Sequence, residues 1–122
     1  MKRFPIRYTT GKGLVLRLVG VPQRWAYVEI DERRVRVSMS WAFRAEFDRA
    51  LVESATPAPR VRVTAGAHGW GGRWLVNGAS EPLVSIRLRE QSRARVIGFP
   101  VKLREVVVSI ADPDALIAAV SD

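Results

Sequence analysis

The chain has 122 residues, 48% of them hydrophobic and 26% charged, which is the size and mix of one folded domain rather than of a disordered segment. It contains no cysteine and one histidine. That excludes a disulfide framework, an iron–sulfur or zinc–thiolate site, a thiol nucleophile and a histidine metal cluster. The formal charge is +8, and seventeen of the twenty basic residues are arginine; nucleic acid, anionic lipid and acidic protein are therefore the partner classes to weigh.

The opening Met1-Lys2-Arg3-Phe4-Pro5 is basic, but Arg7, Thr9, Thr10 and Lys12 interrupt any apolar run. Neither a signal peptide nor a membrane span is expected, and the chain reads as cytoplasmic. From there the dominant period is two, the signature of strands. Leu14–Val19 is a strand-length apolar run. Ala26–Ile30 and Arg34–Met39 alternate around the polar turn Asp31-Glu32-Arg33, and so read as a hairpin with Val35, Val37 and Met39 on one face. Residues 41–56 fit two templates. Trp41, Phe43, Ala45 and Phe47 alternate as in a strand, while Phe43, Phe47, Ala50, Leu51 and Ser54 share a helical face; two short strands bent near Asp48-Arg49 are the preferred reading. Pro57 and Pro59 are expected to end the element. Arg60–Thr64 alternates again, Gly66–Gly72 reads as a glycine-rich loop, and Arg73–Val76 as a strand. Asn77-Gly78 starts a turn. Leu83–Leu88, Arg93–Ile97 and Val106–Ile110 read as three further strands, with Gly98-Phe99-Pro100 as an interruption. Asp112 then offers an N-cap, Pro113 a first helical position and Asp114 a first-turn acid, with Leu116, Ile117 and Val120 on one face. A helix this short needs a surface to dock on. The pattern predicts an antiparallel barrel or sandwich closed by one helix, a single mainly β domain.

The segments Trp41-Ala42-Phe43-Arg44-Ala45, His68-Gly69-Trp70-Gly71-Gly72-Arg73-Trp74-Leu75-Val76-Asn77-Gly78, Gly98-Phe99-Pro100-Val101 and Asp112–Ile117 resemble a family of small bacterial proteins with no assigned chemistry. The order of elements resembles the pleckstrin-homology-like (PH-like) fold. That resemblance implies two near-orthogonal antiparallel sheets of about seven strands closed by a C-terminal helix, and implies strands over 41–56. The loop between the first two strands offers only Gln23 and Arg24, which departs from a basic phosphoinositide loop.

No nucleophile elbow, phosphate-binding P-loop or dinucleotide fingerprint is present, so no catalytic residue or metal is expected; no cofactor is assigned, although a flavin-type cofactor would need none of these motifs. Four i, i+2 arginine pairs stand out: Arg34/Arg36, Arg60/Arg62, Arg87/Arg89 and Arg93/Arg95. Each pair falls on one strand face, and like charges opposite one another repel unless acids intervene. Glu29, Glu32, Glu90 and Glu105 are the expected acids. Trp70, set between glycines, has no strand face to bury on and is a contact candidate. The candidate binding residues are His68, Trp70, Arg73, Arg34, Arg36, Arg87 and Arg89. Three functions compete: a non-catalytic binding or scaffolding domain for a protein partner, an arginine-mediated polyanion binder for nucleic acid or anionic lipid, and a small flavin-type split-barrel enzyme. An uncovered edge strand or an exposed Trp70 would favour a homodimer.

Overall fold

The computed structural model describes residues 2–7, 26–40, 42–58, 66–70, 72–77 and 82–121. The segments Leu14–Val19 and Arg60–Thr64, and Trp25 and Trp41, lie outside the described residues. Nine strands are described: β1 (Lys2–Pro5), β2 (Ala26–Ile30), β3 (Arg34–Met39), β4 (Phe43–Asp48), β5 (Val52–Ala58), β6 (Gly66–Trp70), β7 (Arg73–Asn77), β8 (Leu83–Val96) and β9 (Phe99–Ser109). The described helix α1 spans Pro113–Ser121.

The strands form one sheet in the order β1-β2-β3-β4-β8-β9-β7-β6, with β5 on β8. It is mainly β and strongly curled, a half-barrel rather than a flat layer. The curl has a local cause. The first half of β8, from Leu83 to Leu88, pairs with β5, and its end, Ala94 to Val96, pairs with β4. Between those halves the register with β9 jumps from Arg87↔Glu105 to Ser92↔Leu103, so Leu88 through Gln91 face Arg104 alone. Such a bulge bends the strands and raises their twist. Gly72, at φ +87°, fits into the bend: its carbonyl accepts the backbone N–H groups of Arg104 and Glu105 at 2.7 and 3.1 Å. A bridge from Ile6 to Ile110, with Arg7 N–H donating to the Ser109 carbonyl at 2.7 Å, ties the start of the chain to the end of β9.

Alternation decides the inside. Val35, Val37 and Met39 on β3, Phe43, Ala45 and Phe47 on β4, and Val84, Ile86 and Leu88 on β8 are all buried, and the residues between them on β3 and β4 face outward. The α1 residues Leu116, Ala119 and Val120 join the same core. Asp112 Oδ1 accepts the Ala115 N–H at 3.2 Å, the cap expected of it. At the other end Arg49 donates to the carbonyls of Ala119 (2.6 Å) and Val120 (3.5 Å) and to that of Asp31 (3.3 Å). A guanidinium there satisfies carbonyls that a helix terminus leaves orphaned and opposes the dipole.

The bend at Asp48-Arg49 is present as a single 3-10 turn, Arg49–Leu51, between two strands. Four expectations change. Pro57 does not end β5; it pairs with Val84 inside it. Among the described residues β5 pairs with β8 alone, and a strand with one neighbour tolerates a missing N–H. Residues 66–70 are not loop but strand β6, because β7 supplies a ladder partner along the whole stretch, from Gly66↔Asn77 to Trp70↔Arg73. The segments Leu83–Leu88 and Arg93–Val96 are one strand, with Ile97 in the turn that follows, and the last strand starts at Phe99, since the polar stretch between the two segments is absorbed by the bulge and the outer face. Finally, β7 runs parallel to β9, where the sequence pattern leads one to expect only antiparallel pairs.

Candidate anion-binding face

The outer face of the curled sheet carries the arginines, and register decides which of them find acids. One row crosses four strands as Arg3↔Glu29↔Arg36↔Glu46. Charges alternate along it, and every neighbour is an ion pair: Arg3 Nη2 to Glu29 Oε2 at 2.8 Å, Arg36 Nη1 to Glu29 Oε1 at 3.0 Å, Arg36 Nε to Glu46 Oε2 at 2.6 Å. Arg34 adds a 2.9 Å bond to Glu46 Oε1 and approaches Asp48 at 3.9 Å. Glu29 is buried at 7% exposure, yet both carboxylate oxygens are bonded. The hydrogen bond from Arg3 holds its pKa below the ordinary 4.5, burial pushes the other way, and the bond from Arg36 adds to the lowering. Arg36, chiefly through its bond to Glu46, lowers the Glu46 pKa as well. In the adjoining β2–β3 turn, the backbone N–H groups of Arg33 and then Arg34 lower the Asp31 pKa. Arg3 also sits over the Tyr27 ring, 4.1 Å from its centroid.

A second arginine set is neutralised in the same way. Glu105 stands in register between Arg87 on β8 and Arg73 on β7. It takes Arg73 Nε at 3.0 Å, lies 3.9 Å from Arg87 Nη2, and accepts the Ser85 hydroxyl.

The next row is different. It runs Tyr27↔Ser38↔Arg44↔Arg95↔Pro100, so two arginines face each other directly across β4 and β8. Beside it Arg93 faces Lys102 across β8 and β9. Among the described residues none of these four cations has a carboxylate partner. Arg44 Nε reaches the Ser40 carbonyl at 3.3 Å and Arg95 Nη1 the Gly98 carbonyl at 3.0 Å, both backbone groups of their own strand ends. Arg44, Arg93 and Arg95 line an open depression of about 450 Å³, whose rim also includes Arg36 and Glu46, the latter already bonded to Arg34 and Arg36. An anion seated there would meet guanidinium groups that the fold leaves without countercharge.

The expected site residues are thus dispersed. Arg34 and Arg36 belong to the first ladder; Arg73 and Arg87 share Glu105. Arg89 is exposed, beside a mixed-charge hollow of about 750 Å³ that includes Glu32, Asp48 and Glu53. The backbone of His68 pairs with Leu75 and that of Trp70 with Arg73, on the far side of the sheet order from the first ladder. Trp74, one strand in, is partly buried against Phe43 at 6.3 Å, and its Nε1 donates to the Lys102 carbonyl. Of the expected acids, Glu29 and Glu105 do pair with arginines. Sequence reasoning misses Glu46 and Asp48, although the strict alternation of Phe43–Asp48 puts them outward. It misses Arg44 too, because that residue has no i+2 arginine. Among the described residues no cluster of histidine and carboxylate side chains could hold a metal ion, and no helix is long and apolar enough to cross a membrane. Comparison with family models, curated proteins and solved structures finds no match.

Proposed function

We propose that the chain is a non-catalytic binding domain that holds a phosphate-bearing polyanion against the outer face of its sheet. The observation that carries this reading is the unneutralised set Arg44, Arg95, Arg93 and Lys102 in register on β4, β8 and β9. By contrast Arg3, Arg34, Arg36, Arg73 and Arg87 each have a carboxylate within 4.0 Å. Leaving one cluster without them costs cross-strand repulsion, and arginine forks suit phosphate. The protein-partner reading built on Trp70 and Arg73 is weaker, since Arg73 would have to leave Glu105. A PH-like architecture stays part of the proposal: strand-to-helix order and a curled sheet favour it, while the parallel β7–β9 pair departs from it.

The test is anisotropy of a labelled oligonucleotide against wild type and Arg44→Gln/Arg95→Gln across a salt series. Steep salt dependence that flattens by about two units of log–log slope in the double variant is expected, roughly one for each phosphate that no longer meets an arginine. Equal affinity and slope in both proteins, or no binding at low salt of either the oligonucleotide or vesicles of anionic phospholipid, refutes the proposal.

A further inference from the structure

Among the described residues the exposed large hydrophobic side chains are Ile97 at 60% and Phe99 at 72%. Both sit at the tip of the β8–β9 hairpin, beside the arginine cluster. Ile97 occupies the left-handed region at φ +52°, with Gly98 following at +81°. Two positive φ angles make this the tight reversal that suits twisted strands, where asparagine or glycine is the comfortable first residue. A β-branched residue there opposes the backbone preference and contributes nothing to the core. The core gains nothing from this side chain, which faces solvent.

The charge around the tip is one-sided. Residues 91–104 contain Arg93, Arg95, Lys102 and Arg104 and no aspartate or glutamate. Arg95 donates to the Gly98 carbonyl at 3.0 Å and so is anchored beside the tip. A hollow of about 340 Å³ is lined by Arg44, Arg95, Ile97 and Gly98.

We infer that the β8–β9 hairpin tip inserts Ile97 and Phe99 into the surface of an anionic lipid bilayer, with Arg44 and Arg95 taking lipid phosphates. The inference rests on the anion-binding reading above and names its ligand. An apolar tip with cations along one flank matches the layering of a bilayer interface, where hydrocarbon lies just beneath the phosphates. A single-stranded nucleic acid fits less well. Ile97 offers no ring for a base to stack on. Phe99 shares register with Val96 and, through it, the buried Phe43, so strand alternation sets it on the opposite face from Arg95. A base on Phe99 would put its phosphate away from the arginines; a bilayer engages the whole tip from its end.

The experiment is co-sedimentation with phosphatidylcholine vesicles, with and without phosphatidylglycerol, run beside the oligonucleotide titration. Wild type is expected to bind only the anionic vesicles. Ile97→Asn/Phe99→Ser is expected to lose vesicle affinity by about ten-fold or more, as removal of buried apolar surface requires, and to keep its oligonucleotide affinity. Asparagine tolerates positive φ, so this variant should unfold at equal or higher urea than wild type; Phe99→Ser alone is the second reading of the same loss. Unchanged vesicle binding in both variants overturns the inference, leaving only surface adsorption. Oligonucleotide binding without vesicle binding overturns it and leaves the arginine face standing. A wild-type dimer that the tip variants dissolve, with no vesicle binding, overturns it in favour of contact between two copies. Loss of both ligands on replacing the tip overturns it as well, while absence of both in wild type removes the arginine face too.

Discussion

Replacing Arg93 by glutamine separates the cost of the cationic cluster from its use. Arg93 is the cleanest position, because it faces Lys102 in register and its side chain has neither an ion pair nor a hydrogen bond among the described residues. Cross-strand partners have Cβ atoms about 5 Å apart. Two unit charges held at roughly 6 Å repel by about 0.7 kcal/mol in water and about 3 kcal/mol at an effective dielectric of 20. Both side chains are exposed and can splay, so the lower end applies, and removing one charge should stabilise the fold by about 0.5 kcal/mol at low salt. With an m-value near 2 kcal/mol/M, that is a rise of about 0.3 M in the urea midpoint, followed by tryptophan fluorescence. At about 1 M salt the Debye length falls to about 3 Å and the gain should vanish. In the same preparation the salt slope of oligonucleotide binding should fall by about one. A variant that is less stable at low salt, or that keeps the full salt slope, refutes the view that this arginine is retained for a ligand at the expense of the fold.

The ion-pair ladder predicts an acid response. Glu29, Asp31 and Glu46 all have folded pKa values below their ordinary ones, so the stability they contribute is complete above the ordinary carboxylate range and is lost as pH falls through the lowered values. Glu29→Gln should cost about 2 kcal/mol at pH 7, the worth of its charged hydrogen bonds discounted for half-exposed arginines. It should also flatten the pH dependence of thermal unfolding below pH 4.5, the ordinary glutamate value; an unchanged acid limb would show that the ladder is ornamental. Arg49→Ala removes the donors that hold the carbonyls of Ala119 and Val120. It should cost about 1–2 kcal/mol and increase hydrogen exchange in α1 first. Phe43→Ala empties a fully buried site and should cost about 3–5 kcal/mol in urea unfolding; a loss under 1 kcal/mol, small for a large-to-small core change, would mean the core is not packed around this ring.

What the sequence determined by itself is what local chemistry can write. Period-two alternation set the hairpin Ala26–Met39 and its inward row, because each residue's face follows from its parity alone. The bend near Asp48-Arg49 was legible because the apolar alternation stops there, and the helix was legible because Asp112, Pro113 and Asp114 satisfy its first turn without outside help. The charge of +8 and the missing cysteines likewise follow from composition. Register was not legible. Whether an arginine on an outward face meets Glu46 or another arginine depends on which strand lies beside it and on where the bulge at Leu88–Gln91 shifts the pairing. Those are choices of long-range packing, and a one-residue slip would turn every side chain over. The i, i+2 pairs therefore located arginines without sorting them. Tertiary structure alone decided that Arg34, Arg36, Arg73 and Arg87 are neutralised and that Arg44, Arg93 and Arg95 are not, because countercharge is a property of neighbours in space.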